Sequence, residues 1–218
     1  MGGSAMLRML FEKGGTAVWM SHLDTMRLMQ RAFRRAGVVL HHSQGFTPHA
    51  YVSMILPLSV GVSSQCEIME YALDTELTIT PEEMNAVLPQ GVRILSVYES
   101  DRKGKELSLL KAEVTLEYDH ELPQARLVQE LFEKDELLVE KRTKRGIEET
   151  DIKPMIYSCR VESGHGSLSL ECVVAAQNPS LNPMLLAAAV EKYLPQCKPD
   201  HVTVRRLEVF DAKGNVFR

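Results

Sequence analysis

The chain has 218 residues, of which 44% are hydrophobic and 25% are charged, and its formal net charge is −4. This length fits one large domain or two domains of about 100 residues each, and the composition is typical of soluble globular proteins. The net charge excludes a uniformly basic nucleic-acid-binding chain. The four cysteines form no C-x-x-C pair, which argues against a zinc knuckle, a thioredoxin-like motif or a cluster cradle, and such scattered cysteines are typical of the reducing cytosol: Cys66, Cys159, Cys172 and Cys197.

The sequence gives no membrane or export signal. It contains no signal peptide and no apolar run near the roughly 18 residues that a membrane helix needs. We therefore expect a cytoplasmic protein without a membrane partner. We interpret the leading MGGSA as an expression remnant and Met6 as the natural start, and we leave that segment out of the fold prediction.

Positive charge is concentrated at the N-terminal end. Residues 1–50 hold six Lys or Arg residues against two acids, and four of the seven histidines lie there too. A locally basic end on an otherwise acidic chain favours an anionic partner.

The first half predicts the element order β-α-β-β-α-β. Ser21 followed by Asp24 is a helix N-cap pattern, and Gly37 follows the last helical turn, so a helix is predicted over Ser21–Ala36. Pro81 begins a short second helix, because proline is tolerated at a first helical position. The β-branched and apolar content predicts strands over 6–15, 51–64, 66–74 and 91–100.

The second half repeats this order after a polar, glycine-containing linker at Ser100–Glu106. Both halves match the split β-α-β pattern. We therefore predict an α+β fold of two tandem ferredoxin-like (β-α-β-β-α-β) domains with antiparallel sheets, at residues 6–100 and 106–218. The predicted elements of the second half are strands over 112–119, 152–163, 167–176 and 201–217, with helices over 122–137 and 182–194.

The segment LHHSQGFTPHAY, residues 40–51, has several interpretations besides a simple turn. A metal site would use His41, His42 and His49. Adjacent histidines point to opposite sides of an extended chain, however, and no Cys or acid lies within the loop to complete the set, so we predict no metal and no cofactor. A general acid or base role for His42 or His49 would make the chain a metal-independent ribonuclease.

RNA binding is the interpretation that this segment favours most. Its glycine allows a phosphate to approach the backbone, its aromatic rings offer stacking faces, and its serine and histidine side chains donate hydrogen bonds. The predicted RNA contacts of the segment are Ser43, Gln44, Gly45, Phe46, His49 and Tyr51.

The predicted helix before this segment carries an arginine stripe. At about 100° per residue, Arg27, Arg31 and Arg34 share one arc of the helix, and Arg35 follows them. Exposed charges are ordinary on a helix that packs on a core. All four cations are Arg, however, and Arg binds phosphate in a bidentate manner that Lys cannot reproduce, which favours phosphate contact.

A second basic cluster, Lys141–Gly146, is predicted as a loop beside a strand. A solvated charged loop is the ordinary interpretation of such a run. Together with the first patch, Lys141, Lys144 and Arg145 would extend an RNA footprint across both domains.

These motifs resemble a known bacterial family. The segments SHLDTMRLMQRAFRRAG, HSQGFTPHAYVSMILPLSVGVSS and EIMEYALD are similar to the radical SAM-linked (radical SAM-associated) proteins, a domain of unknown function, and KRTKRGIEETDIKPMI is similar to a further segment of that family. The chain departs from the family pattern at Ala50, where proline is usual, and at Met54, near an expected aromatic residue. In many members this domain is fused behind a radical SAM domain of the cobalamin-binding type.

The resemblance implies an accessory protein in RNA or ribosome modification, which recognises RNA, either tRNA or rRNA, and presents it to a radical SAM partner of the cobalamin-binding type. The C-x-x-x-C-x-x-C run of a radical SAM cluster is missing, so the chain is not expected to be that enzyme itself. Two alternatives stay open: the metal-independent ribonuclease, and a protein-binding scaffold for the radical SAM subunit. The candidate catalytic residues are His22, His42 and His49.

Overall fold

The structure is a computed structural model that describes residues 6–74, 78–143 and 146–218. The chain divides into two compact units. The first unit comprises the residues up to Gly104 together with Arg218, and the second comprises Lys105–Phe217. Each unit combines an antiparallel sheet with two helices, so the α+β class with antiparallel sheets is confirmed.

The first unit contains four strands and two helices in the order β-α-β-β-α-β. Its helices begin where the sequence places caps: Ser21 caps the first, and Thr80 with Glu83 forms a capping box at the second. The elements are β1 Met6–Lys13, α1 His22–Arg35, β2 Val52–Met54, β3 Val62–Tyr71, α2 Pro81–Asn85 and β4 Val92–Ser100.

The sheet of the first unit has the strand order β4-β1-β3-β2, and every neighbouring pair is antiparallel. Its core forms because alternate residues of β1 and β3 turn to the face that α1 covers. Met9 and Phe11 of β1 pack there with Met29 and Phe33 of α1, all four almost completely buried. The ring of Tyr71 joins them, since its centroid lies 4.9 Å from that of Phe33.

The second unit repeats the same order with one insertion. Its elements are β5 Leu107–Glu117, α3 Ala125–Phe132, β6 Leu138–Thr143, β7 Gly146–Asp151, β8 Ile156–Ser163, β9 Ser167–Ala175, α4 Met184–Tyr193 and β10 His201–Asp211. The main sheet has the order β10-β5-β9-β8, again antiparallel throughout. The inserted strands β6 and β7 form a separate two-stranded antiparallel hairpin.

Three predicted elements differ from the structure. The strand expected over 51–64 is only three residues long in β2, because the chain then turns through a proline-containing segment before β3 begins. The helix expected over 122–137 is limited to α3, eight residues. The described part of the basic segment Lys141–Gly146, predicted as a loop beside a strand, belongs to strands instead, since Lys141 lies within β6 and Gly146 begins β7.

The first unit also buries a charge. Arg8 of β1 is fully buried, and it donates hydrogen bonds to the Glu70 carboxylate (Nη2–Oε1 2.7 Å) and to the Ser100 hydroxyl (Nη1–Oγ 2.8 Å). Partners of this kind offset the large cost of removing a guanidinium from water. Arg8 therefore ties together three strands of the sheet, β1, β3 and β4.

Within the described ranges, every helix is too short or too polar to cross a lipid bilayer.

Candidate nucleic-acid interface

The start of α1 is built by a local hydrogen-bond motif. The Ser21 hydroxyl accepts from the backbone N–H of Asp24 (3.2 Å) and donates to the Asp24 carboxylate (2.7 Å). These bonds, led by the Ser21 hydroxyl and helped by Arg27, lower the pKa of the Asp24 carboxyl. The predicted capping role of Ser21 and Asp24 is confirmed.

The outward face of α1 carries the four predicted arginines, all of them exposed. Arg27 forms a surface ion pair with Asp24 (Nη1–Oδ1 3.2 Å), which partly neutralises it. Asp24 is the one acid among residues 22–35, so the face stays positive.

Two of these arginines have guanidinium groups without a partner among the described residues. Arg35 donates to the backbone carbonyl of Val87 (3.2 Å), which fixes it beside the end of α2. Arg31 and Arg34, in contrast, make no side-chain hydrogen bond or ion pair with any residue that the structure describes. Unpaired, exposed guanidinium groups one helical turn apart suit neighbouring phosphates.

The predicted RNA-contact segment forms a closed loop after α1. Ser43 and His49 face each other across its base: the Ser43 N–H donates to the His49 carbonyl (2.9 Å), and the His49 N–H donates to the Ser43 hydroxyl (3.1 Å). Gly45 has φ 138°, a conformation that favours glycine. Phe46 is completely exposed, and Gln44 is exposed beside it.

The loop therefore exposes the Phe46 ring, while the hydrogen bonds between Ser43 and His49 hold its two ends together. Tyr51, which follows the loop, is 46% exposed. Of the polar residues predicted to contact RNA, Ser43 also has a structural role, because its hydroxyl accepts the hydrogen bond that closes the loop.

The histidines of this region have separate partners. His41 Nδ1 lies 2.6 Å from the Asp74 carboxylate, and both side chains are about half exposed. His42 Nδ1 lies 2.8 Å from the Leu40 carbonyl. A carbonyl only accepts hydrogen bonds, so Nδ1 of His42 is the donor, and in the neutral imidazole this leaves Nε2 as the acceptor nitrogen. Among the described residues, no group of three or more His, Cys, Asp or Glu side chains is placed to hold a metal ion.

His22, the third catalytic candidate, lies apart from the loop histidines along the chain. It lines a small cleft that opens to solvent beside the start of α1. The other lining residues are Phe11, Lys13, Thr25, Met54, Leu58 and Glu67.

Sequence reasoning missed two charged residues of this cleft. Lys13 and Glu67 are 2% and 4% exposed, and the Lys13 ammonium donates to the Met20 carbonyl (2.7 Å) just before α1. The alternation of β1 contains the signal, because Lys13 lies two residues after the buried Phe11. Trp19 was also not assigned from the sequence, and it is 71% exposed.

The second predicted basic cluster belongs to the second unit. Lys141 is half-buried and donates to the Ser180 carbonyl (3.2 Å). Lys144 and Arg145 lie outside the described residues. An RNA footprint that includes these residues stays a prediction.

Comparison with known proteins assigns the chain to a family. Residues 6–183 match the model of a family described as an uncharacterized protein conserved in bacteria (DUF2344). The chain belongs to this family. The match spans all of the first unit from β1 onward and continues to the start of α4. No curated protein matches the sequence.

A solved structure shares the fold of this DUF2344 protein. It is a chain in the crystal structure of a Cbf5–Nop10–Gar1 complex, with a TM-score of 0.56 and 11% sequence identity. The superposition covers 94% of the DUF2344 chain and 50% of the other, so the DUF2344 chain spans about half the length of that neighbour. At this identity the likeness shows the fold alone.

Proposed function

We propose that this DUF2344 protein binds RNA through the arginine face of α1. The observation that carries the proposal is the pair Arg31 and Arg34, two exposed arginines on one helix face without a described protein partner. No described residue pairs with their charges, and bidentate phosphate contact is an interaction for which guanidinium groups are well suited.

The loop closed by Ser43 and His49 supplies the second part of the proposed interface. Phe46 at its tip and Tyr51 after it offer exposed rings for unpaired bases. In this proposal Arg27, Arg31, Arg34 and Arg35 bind phosphates, and the loop contacts the nucleotide. We include Lys141, Lys144 and Arg145 as further RNA contacts on the second unit.

The proposal also includes the domain type of the two units. We propose that each unit is a ferredoxin-like domain, since in each the strand order places the first strand between the third and the fourth, with two helices between strands. The hairpin of β6 and β7 is an insertion into the second of these domains.

The test is RNA binding by the Arg31→Ala/Arg34→Ala variant, measured by fluorescence anisotropy with labelled bulk tRNA and labelled poly(A). The wild-type affinity is expected to fall steeply with salt, and the variant to lose at least about tenfold in affinity. Its slope of log K against log salt should become shallower by about 1.4 for poly(A), because two phosphate contacts are lost.

A matched control is Arg126→Ala/Arg160→Ala. It removes the same charge from two exposed arginines of the second unit, each of which pairs with a neighbouring acid. The control is expected to bind RNA as the wild type does. Equal affinity of the Arg31→Ala/Arg34→Ala variant and the wild type would sink the proposal.

We further propose a radical SAM protein of the cobalamin-binding type as the partner, which rests on the resemblance of the SHLD and HSQGFTPH segments. Size-exclusion chromatography of the two purified proteins, with and without RNA, tests this partnership. Co-elution that needs RNA supports an RNA-presenting role. Co-elution without RNA, by a chain that binds none, supports the scaffold alternative instead.

One observation favours the second candidate function, a metal-independent ribonuclease. His42 has its Nδ1 on the Leu40 carbonyl (2.8 Å). In the neutral imidazole this bond places the proton on Nδ1 and leaves Nε2 as the acceptor that a general base needs. RNA cleavage in the presence of chelator, lost in His42→Ala or His49→Ala, would support this function. Intact RNA after long incubation counts against it.

A further inference from the structure

We infer that Trp19 is a stacking site for one unpaired RNA base, placed at the N-terminal end of the arginine face. The inference rests on the proposed RNA-binding function and adds a specific ligand chemistry to it: a single-stranded nucleotide rather than a duplex. The indole is 71% exposed. A tryptophan ring usually contributes to a core by burying a large apolar area, which this one does not do.

The segment that carries Trp19 is held at both of its ends. On one side the N–H of Gly14 donates to the Gly91 carbonyl (2.8 Å). On the other, the buried ammonium of Lys13 donates to the Met20 carbonyl (2.7 Å), directly after the tryptophan. Between them Ala17 is buried, so the short 3-10 helix Gly15–Trp19 has a packed inner side.

A third bond fixes the backbone next to the indole. The N–H of Gly61 donates to the Val18 carbonyl (2.9 Å), and the Trp19 ring lies against Gly61, with its Cζ3 3.6 Å from the point that a Cβ there would occupy. Val60 beside it is 54% exposed. The ring is therefore supported by backbone on one part and open to solvent on the rest, which suits an aromatic platform for a base.

The charge around Trp19 decides between possible occupants. Helix α1 begins at His22, three residues after the indole. Its exposed residues are Leu23, Asp24, Arg27, Arg31, Arg34 and Arg35, and since Asp24 pairs with Arg27, the remaining three arginines give this surface a net positive charge. The positive end of the helix dipole is at this end of α1. An anionic strand laid along the arginines would bring its next base to the tryptophan. A basic peptide would be repelled by the same arginines, and the combination of cations with an exposed aromatic ring suits an anionic strand with unpaired bases, so we assign the ring to RNA.

The chain allows a direct test, since Trp19 is its single tryptophan. Intrinsic tryptophan fluorescence therefore reports on this site alone. A single-stranded oligo(A) RNA is expected to quench it, whereas an abasic oligonucleotide of equal length and charge is not. A blunt RNA duplex is expected to bind through its phosphates with little change in fluorescence.

Variants measure the contribution of the ring. Trp19→Ala is expected to weaken oligo(A) binding about 5- to 150-fold, the range of one base–aromatic stack, and to leave duplex binding within about twofold. Trp19→Phe keeps a stacking face and should retain most of the oligo(A) affinity. Both variants replace an exposed side chain, and circular dichroism with urea unfolding checks that they fold.

The outcomes separate this inference from the function on which it rests. Salt-sensitive RNA binding that depends on Arg31 and Arg34, with unquenched fluorescence and an unaffected Trp19→Ala variant, overturns the stacking site and leaves the proposed function in place. Absence of binding to any RNA overturns both, and an unquenched indole would then fit a protein-docking residue instead. Quenching by oligo(A) together with the loss in Trp19→Ala supports both.

Discussion

Arg8 shows at the scale of one residue how a charge becomes part of the core. It lies in the middle of a sheet and is fully buried, while the side chain of its partner Glu70 keeps 18% exposure. The guanidinium is paired through two nitrogens to a single carboxylate oxygen, at 3.1 Å from Nε and 2.7 Å from Nη2. Charged pairs in such positions are costly to break because the remaining carboxylate stays largely shielded from water without its cation.

Arg8→Met is therefore expected to lower the free energy of unfolding by about 3–5 kcal/mol. The variant removes the charge but keeps much of the length of the side chain. It takes the Arg8 donor away from the Glu70 carboxylate and from the Ser100 hydroxyl, which still accepts from the Arg102 N–H (3.3 Å). Urea denaturation followed by circular dichroism measures the loss. The double variant Arg8→Met/Glu70→Met is the control and should be more stable than the single variant, since no unpaired charge remains. A loss below about 0.5 kcal/mol in Arg8→Met contradicts this account.

Gly91 is a second position where one residue decides the local structure. Its φ is 91°, and a Cβ there would lie 2.6 Å from the Gly14 carbonyl oxygen and 2.9 Å from the Ala17 Cβ. Because Gly91 has no side chain, Gly14 and Ala17 can approach it closely, and this contact holds the segment that carries Trp19.

Gly91→Ala is expected to cost about 2–4 kcal/mol, from backbone strain and from overpacking together. Gly214→Ala is the matched control, because that glycine has a similar φ of 82° but nothing within 4 Å of the added Cβ. The control should cost only about 1–2 kcal/mol, from backbone strain alone. Equal losses in thermal or urea unfolding would show that the contact with Gly14 and Ala17 is not the cause.

At the scale of the element, α1 combines a structural cap with a charged face. Ser21 belongs to the SHLD segment, and its hydroxyl makes two hydrogen bonds to Asp24 within the first turn. The cap explains the serine and the aspartate without any ligand. It does not explain His22, which lines the cleft.

Ser21→Ala is expected to lower stability by about 1 kcal/mol, the usual cost of removing an N-cap, without lowering RNA affinity at constant salt. Thr80→Ala makes the same change at α2, where the capping box of Thr80 and Glu83 is lost, and should behave alike. Unfolding curves and anisotropy titrations of the two variants give both quantities. A large loss of RNA affinity in Ser21→Ala alone would show that the hydroxyl contacts the ligand.

The elements that the sequence predicts correctly are specified by local signals, whereas the elements that it misses depend on contacts between distant parts of the chain. The bounds of α1 and the proline start of α2 follow from cap residues and helical periodicity, which are local. The short β2 does not, because an apolar segment looks alike whether it pairs or turns. The hairpin of β6 and β7 was missed because its strands are polar and its exposed face has no alternating apolar pattern.

The residues of the candidate interface also fall into two groups, those predictable from the local sequence and those brought together only by packing. The exposure of Arg27, Arg31, Arg34 and Arg35 was predictable from one helical face. The cleft was not, because Lys13 and Glu67 meet His22 only when β1, β3 and α1 pack together. The Trp19 ring is supported by its contact with Gly61, which lies more than forty residues further along the chain and so is not indicated by the local sequence.

Both units contain groups with raised pKa values, so the stability of the whole molecule is expected to depend on pH in the alkaline range. Burial raises the pKa of the Tyr71 hydroxyl in the first unit to about 12. In the second unit burial also raises the pKa of the Cys159 and Cys172 thiols to about 12, and burial together with nearby negative charge does the same for Tyr118. The ordinary values are 10.0 for tyrosine and 9.0 for cysteine.

All four of these pKa values are raised by folding. Each group ionises in the unfolded chain near its ordinary pKa, but in the folded chain only near pH 12, so the unfolded state releases protons first as the pH rises. The stability that the neutral groups contribute is complete below about pH 9 and is lost between pH 9 and 12. Each group contributes at most about 1.4 kcal/mol per pH unit to this loss.

We therefore expect the urea midpoint of the protein to fall steadily from pH 8.5 to pH 11. The fall should be less steep in Tyr71→Phe and in Cys172→Ala, because each variant removes one of the groups whose ionisation favours unfolding. The slope against pH is the deciding quantity, since Cys172→Ala also loses packing and the weak bond from its sulfur to the Ala112 carbonyl (3.4 Å) at every pH. The native thiols should also react slowly with iodoacetamide at pH 8, because only the thiolate is reactive. Rapid alkylation of Cys159 and Cys172 in the folded protein, or a midpoint that stays constant up to pH 11, would contradict their burial as neutral groups.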